Sequence, residues 1–374
     1  MERWIISGNG EQWKQCHGST LAQASASGAI SVAWFAGTRE GSDDNAIWFT
    51  RGHLAGDWQT PRRLLHGHAG AWWNPVLSYG PDGRLWLFAK NGPRISHWKT
   101  WYITSDDDGM TWSAERELVP GDDGGGRGPV KNPPLLTGDG LWVAPNSIES
   151  EDDEPVWDCR FDISADRGRT WSLTTVPINH ESLRGSGIIQ PTLWSSRNGP
   201  GTAEELVALC RSTEGCAYRT VSKDGGLNWC EAQPVGLPQN NSGFCAVSLD
   251  EWGSKVAIAH NPGSQSWGSR CPLVISVSSD GGVSWDQREV VEDGEDIPAM
   301  PAGSRVPKVG IETGQRPSSM LQASDRGIVT NGLREFSYPT MVLSAAGELL
   351  LSYTWHRRGI VLARISKGTT ESWL

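Results

Sequence analysis

Apolar residues along the chain fall in short runs bounded by Gly, Pro, Asp or Asn, and the runs recur. "AISVAWFAG", "RLWLFAK", "GLWVAPN", "ELVALCR", "KVAIAHN" and "ELLLSYTW" each have the length and the β-branched or aromatic content of a buried strand. No long stretch carries the 3.6-residue spacing of an amphipathic helix. The pattern predicts an all-β protein.

A repeated octet follows the strand signals. "SDDDGMTW" from Ser105, "SADRGRTW" from Ser164, "SKDGGLNW" from Ser222 and "SSDGGVSW" from Ser278 close on Trp112, Trp171, Trp229 and Trp285, which are 59, 58 and 56 residues apart. Asp and Gly supply the side-chain-to-backbone bonds and positive φ angles of a tight hairpin, and the Trp caps it from the following strand. The octet is a folding device. Its period suits one four-stranded sheet per repeat.

A second series runs out of phase with the first. "WWNPVLS" (Asn74), "VKNPPLL" (Asn132) and "IIQPTLW" (Gln190) are spaced by 58, "QCHGSTL" (His17) lies 57 before Asn74, and "NNSGFCAV" (Asn241) and "EFSYPTM" (Tyr338) extend the series. Each is a polar residue, usually followed by Pro, at the start of an apolar strand, where no ladder donor is needed. Six strand starts predict a six-bladed β-propeller, a single domain over residues 1–374. "MERWIIS" would complete the last blade and close the ring. Residues 291–334, rich in Pro, Gly and Ser, read as a long excursion between blades five and six.

Composition narrows the partners. A net charge of -10 without a basic block argues against nucleic acid. No apolar run approaches a membrane span, and "MERWIISGNG" does not read as a signal peptide, so a cytoplasmic location is expected. Seven cysteines at spacings unlike a metal site read as buried free thiols, and "NNS" at Asn240 as a chance glycosylation triplet. Neither cofactor nor metal is expected, and the oligomeric state is open. Of 21 tryptophans, four belong to the hairpins, while Trp72, Trp73, Trp98, Trp101, Trp267 and Trp355 lie near loops or strand ends, where some can line a pocket.

Four Asp-box hairpins on a six-bladed pattern resemble the sialidase superfamily. "WFAGTREGSDD", "GPVKNPPLL", "ALCRS" and "YPTMVLSAAGELLLSYTWHRR" are similar to its BNR-repeat, predicted-neuraminidase branch. The resemblance covers nearly the whole chain. It implies a carboxylate-binding cluster of three arginines, an Asp acid/base and a Tyr nucleophile assisted by a Glu. Tyr338 matches the nucleophile, Arg211 and Arg270 match two of the arginines, and "GTREGSDD" places Arg39, Asp43 and Asp44 in the acid/base segment, with the choice of aspartate open. A phenol suits an anionic sugar because a carboxylate nucleophile would be repelled. Arginine's planar fork suits a carboxylate. Two positions depart from the family: His17 stands in place of the first arginine, and Trp194 and Ser195 stand where the Glu belongs, with Glu204 and Glu205 further on.

The candidate centre gathers the strand starts His17, Asn74, Asn132, Gln190, Asn241 and Tyr338, and the second-strand ends Arg39, Lys90, Asn146, Arg211, His260 and His356. Tyr338, His17, Asp43 and Asp44 are the catalytic candidates. Arg39, Arg211, Arg270, Asn74, Asn132, Gln190, Trp73 and His356 are the substrate-binding candidates. A histidine among arginines suits acid/base chemistry. The expected function is therefore a glycosidase- or lyase-like enzyme on an acidic sugar, by hydrolysis or elimination. Alternatives are a hetero-Diels–Alderase of fungal tropolonic sesquiterpene type, which that resemblance also admits, and a non-catalytic glycan-binding propeller. "HGH" (His66, His68), "GDDGGGRG" and "ESEDDEP" (Glu149–Pro155) read as loops.

Overall fold

The computed structural model describes residues 1–8, 12–54, 56–197, 202–300 and 334–373. Strand β1 (Glu2–Gly8) precedes a first sheet of β2 (Gln15–Gln23), β3 (Ile30–Gly37), β4 (Ala46–Gly52) and β5 (Arg62–Leu65). The second sheet holds β6 (Ala71–Tyr79), β7 (Leu85–Gly92), β8 (Lys99–Ser105) and β9 (Arg116–Glu117). β10 (Leu135–Leu136), β11 (Trp142–Glu149), β12 (Trp157–Ser164) and β13 (Ser172–Thr175) make the third. β14 (Ile188–Ser196), β15 (Glu205–Ser212), β16 (Cys216–Ser222) and β17 (Gln233–Pro238) make the fourth. β18 (Cys245–Ser248), β19 (Val256–His260), β20 (Leu273–Ser278) and β21 (Asp286–Glu292) make the fifth. In the sixth, β22 (Phe336–Leu343), β23 (Leu349–Trp355) and β24 (Gly359–Ile365) pair antiparallel, and β1 adds to β24 from the other end of the chain. The result is a six-bladed β-propeller closed by its N-terminal strand, as the sequence predicts.

Six apolar clusters fill the interfaces between successive blades, so each sheet is buried on both faces by its neighbours. The octets fold alike. In the first, Ser105 Oγ accepts from Gly109 N at 2.8 Å while Asp107 accepts from Thr111 N at 2.8 Å and Thr111 Oγ1 at 2.6 Å. The closing tryptophans reach the preceding blade: Trp112 meets Phe49 edge-on at 5.3 Å and Trp229 stacks on Phe161 at 4.2 Å. The octets lie at the far end of the sheets from Asn74, Gln190 and Tyr338. They secure blade corners and supply no chemistry to the centre.

Three details differ from the sequence reading. β10 starts three residues after Asn132, and β18 four residues after Asn241. Pro133 and Pro134 cannot donate to a ladder. β21 also runs through Val291 and Glu292, so the excursion starts later than expected, and residues 301–333 of it lie outside the described residues. All seven cysteines are free, but Cys230 is exposed and Cys216 and Cys271 are only partly covered. The buried Asn240 amide donates to Ser269 O, which leaves its nitrogen engaged.

Bulges connect the fold to the site. In β2, β6, β14 and β22 the pairing slips at His17/Thr20, Trp73/Val76, Ile189/Thr192 and Ser337/Thr340. Inside each slip one residue is left-handed: Gly18 (φ 63°), Asn74 (42°), Gln190 (50°) and Tyr338 (53°). That conformation costs a non-glycine residue about 1–2 kcal/mol, and bulges commonly re-aim a side chain. The frame also corrects the repeat alignment. Gly18, not His17, is the counterpart of Asn74 and Tyr338, because the glycine takes the left-handed position and His17 stands one residue before it.

Candidate functional site

Tyr338, Arg211 and Gln190 meet through hydrogen bonds although three different strands carry them. Arg211, at the end of β15 and 2% exposed, donates from Nη1 to the Tyr338 hydroxyl at 2.9 Å and to Gln190 Oε1 at 2.9 Å. Its Nε donates to Asn241 Oδ1 at 2.7 Å. Among the described residues no carboxylate lies within ion-pair distance of this guanidinium. Its partners are two amides and a phenol. Trp267, 41% exposed, covers it with its ring 5.5 Å away, and Trp157 stands edge-on to Trp267 at 6.3 Å.

Arg270 behaves differently. It donates to Glu335 Oε1 at 3.0 Å, and Glu335 also receives Arg357 Nε at 2.9 Å and Ser337 Oγ at 2.7 Å. Arg357 continues to Glu40 at 2.6 Å. Arg270, Glu335, Arg357 and Glu40 thus alternate in sign and neutralise one another. Burial opposes charge on Glu335, yet the guanidiniums of Arg357 and Arg270 hold its carboxyl well below the usual carboxylate range. The Arg270 cation also faces the Tyr338 ring at 5.5 Å.

His17 packs against Tyr338 with ring centres 4.4 Å apart. Its Nδ1 is 3.0 Å from Thr354 Oγ1 and 4.0 Å from Glu335 Oε1, while Nε2 is buried with no partner among the described residues. Burial, reinforced by the Arg357 charge, pushes its pKa well below the usual value, so the ring is neutral near pH 7. Phe35 stands edge-on to His17 at 5.6 Å, and Trp73 packs on Phe35 at 5.8 Å. Gly41 lies against Trp73: a Cβ there would come within 3.0 Å of the indole.

Glu149, the last residue of β11, adds a carboxylate that makes no hydrogen bond among the described residues. Burial pushes its pKa up to about 7, against an opposing pull from Arg211. It is therefore poised to give or take a proton near neutrality on the Arg211 side of the centre.

The expected residues divide into two groups. His17, Gln190, Arg211, Arg270, Asn241 and Tyr338 converge, and Asn132 joins them by donating to Pro191 O at 3.1 Å beside Gln190. Asn74 reaches the same ring of bulges near Gly18. Arg39, Asp43 and Asp44 are exposed. Asp44 knits its own loop, accepting from Thr38 Oγ1 at 2.7 Å and from Ser42. His356 is a scaffold group: its Nδ1 accepts from Glu335 N at 3.2 Å, and burial pushes its pKa down to about 4. Lys90 and Asn146 hold the 126–128 loop, and His260 bonds Ser276 at 2.9 Å. Glu204 and Glu205 sit at the opposite end of β15 from Arg211, with Arg197 and Lys223, so neither supplies an assisting Glu.

Four residues central to the site escaped the sequence reading: Glu335, Arg357, Glu40 and Glu149. Glu335 stands three residues before Tyr338 in "EFSYPTM", and Arg357 follows His356 in "TWHRR". Both lie inside quoted motifs, but pairing between them depends on the turn after β23, where His356 (φ 50°) and Arg357 (φ 55°) are left-handed. Glu149 was hidden at the head of an acidic loop. Among the described residues, no group of three or more His, Cys, Asp or Glu side chains is arranged to hold a metal ion.

Solved structures share this fold at low identity. A protein of unknown function from Dyadobacter fermentans matches at 14% identity over 97% of each chain with TM-score 0.68. The NanB sialidase of Streptococcus pneumoniae matches at 10% identity over 97% of this chain and 70% of its own, with TM-score 0.67. The α-L-arabinanase of Penicillium chrysogenum matches at 11% identity over 98% of each chain, with TM-score 0.63. No curated protein sequence matches this chain. The family model for BNR repeat-like domains matches residues 28–351, and the chain belongs to that family.

Proposed function

We propose that this propeller is an enzyme for a carboxylate-bearing sugar, which the Arg211 guanidinium receives beside the Tyr338 hydroxyl. The observation that carries the reading is that Arg211 has only neutral hydrogen-bond partners, whereas Arg270 and Arg357 share Glu335. A buried cation without a counter-ion favours an anionic ligand. Gln190 and Asn241 fix the guanidinium plane, so little reorganisation accompanies binding.

Elimination fits the charges better than hydrolysis through a tyrosine nucleophile. Among the described residues no carboxylate bonds the Tyr338 hydroxyl to take its proton; the Arg211 guanidinium donates to that oxygen instead. A phenolate can remove the proton on the carbon next to a sugar carboxylate while Arg211 holds the developing enolate charge. The bond from the β-carbon to the leaving oxygen then breaks, and that oxygen takes a proton from Glu149. The assay is turnover of uronides against sialosides: elimination leaves a conjugated double bond with its own ultraviolet absorbance, and hydrolysis does not. Tyr338→Phe should reduce it about a hundredfold or more. Wild-type inactivity on every anionic sugar would overturn the reading.

The cyclase reading has one observation in its favour. Trp267 and Trp157 form an aromatic wall over Arg211, which suits a flat conjugated ligand with one polarisable oxygen. Its signature would be retained turnover in Tyr338→Phe and loss in Trp267→Ala.

A further inference from the structure

At the far end of the blades from Tyr338, the second and third sheets leave between them a hollow of about 310 Å³. Its volume fits one sugar ring rather than an extended chain. Asp82, Arg84, Arg116, Arg167 and Arg169 line it, beside the partly exposed Tyr102 ring, which stacks at 4.8 Å on the buried Trp86. Arg84 pairs with Asp82 at 2.8 Å and lies 3.8 Å from the exposed Asp106. The guanidiniums of Arg116, Arg167 and Arg169 have no hydrogen bond or ion pair among the described residues. Asp166, in the hairpin that carries Arg167 and Arg169, is engaged by Thr170 Oγ1 at 2.7 Å and by the backbone of that hairpin. Three uncompensated cations converge here on a protein whose net charge is -10.

Arg167 carries a second, independent signal. It occupies the fourth position of its octet, where all four repeats are left-handed: Asp108 (φ 54°), Arg167 (φ 63°), Gly225 (φ 72°) and Gly281 (φ 68°). Two repeats solve that position with glycine. Hairpin folding has no use for a long cationic side chain at a place that strains it, and nothing in its own loop holds the guanidinium. A strained residue on the rim of a cavity points to a ligand.

We propose that this hollow is a second binding site, for a sulfated or carboxylated monosaccharide unit. The arginine fork matches the flat trigonal face of either anion. The partly exposed Tyr102 ring, backed by the buried Trp86, gives the apolar face of a sugar ring a contact that an inorganic anion would not use. The site is independent of the reading given to Arg211 and Tyr338 and would serve a sugar-binding propeller as an anchoring site remote from the centre.

The test is calorimetric titration of the full chain with N-acetylglucosamine 6-sulfate, glucuronate and inorganic sulfate, repeated on Arg116→Gln, Arg167→Gly and the double variant. Arg167→Gly relieves the left-handed strain, so its melting temperature should match or exceed the wild type while the affinity for the sugar anion falls at least about tenfold. The double variant should lose more, and inorganic sulfate should bind at least about tenfold more weakly than the sulfated sugar. Unchanged affinity in the double variant would place binding elsewhere and overturn the proposal. Equal affinity for inorganic sulfate would overturn the assignment to a saccharide.

Discussion

The Arg211 guanidinium donates to the Tyr338 hydroxyl at 2.9 Å across 127 positions of sequence, from the fourth blade to the sixth. Closing the ring brings these strand ends together, and the left-handed bulge at Tyr338 sets the phenol's direction. The contact sets one cation apart from the other two. Arg270 and Arg357 are held by Glu335, whereas the hydrogen-bond partners of Arg211 are two amides and a phenol.

Removing the Tyr338 hydroxyl alone isolates its chemical role. Tyr338→Phe keeps the ring that packs on His17 and faces Arg270. Steady-state kinetics on a uronide should show kcat reduced about a hundredfold or more with KM little changed. A fall in affinity with kcat preserved would make Tyr338 a binding residue.

Glu335 is a stability residue as much as a site residue. Glu335→Gln leaves Arg270 buried without its counter-ion and Arg357 with Glu40 alone, and denaturant unfolding should show a loss of about 3–5 kcal/mol. Its depressed pKa sets the sign with pH. The folded state keeps the charge that the unfolded chain loses, so this contribution is full above the ordinary glutamate pKa and fades as pH falls below it. The variant's unfolding midpoint should therefore depend less on pH in the acid range than the wild type's.

Glu149 has the opposite sign. Its folded pKa of about 7 exceeds the ordinary value, so the folded state binds the proton more tightly. Stability from this group is present at low pH and is lost as pH rises from the ordinary glutamate range to about 7. Glu149→Gln should flatten that decline and remove the limb of the activity profile near pH 7. A profile unchanged in the variant would assign the proton transfer elsewhere.

The hairpins should affect stability and leave chemistry alone. Ser105→Ala removes the acceptor for Gly109 N and should cost about 1–3 kcal/mol in chemical denaturation. Activity per folded molecule should equal that of the wild type, because Ser105 and Tyr338 lie at opposite ends of their sheets.

The scaffold was legible in the sequence because its signals are local. An octet names its own turn, an apolar run names its strand, and four octets and six runs with a spare strand at the N-terminus define a closed ring. Tyr338 and Gln190 were legible because they recur at equivalent strand starts, Arg211 because it ends a second strand, and His17 as the residue beside its blade's strand-start position. The charge pairing was not. Arg270 reads as a ligand clamp until Glu335 is seen beside it, and Glu335 becomes visible only when a turn after β23 swings Arg357 onto the same carboxylate. The one-residue offset at His17 was equally hidden, since Gly18 and Asn74 share a backbone conformation and no side-chain chemistry.

A crystal of the protein soaked with glucuronate tests the central claim most directly. The account predicts the sugar carboxylate within hydrogen-bond distance of Arg211 and next to the Tyr338 hydroxyl, with Glu335 still bridging Arg270 and Arg357. A carboxylate seated on Arg270 and Arg357 with Glu335 displaced, or a centre left empty at saturating ligand, would contradict it.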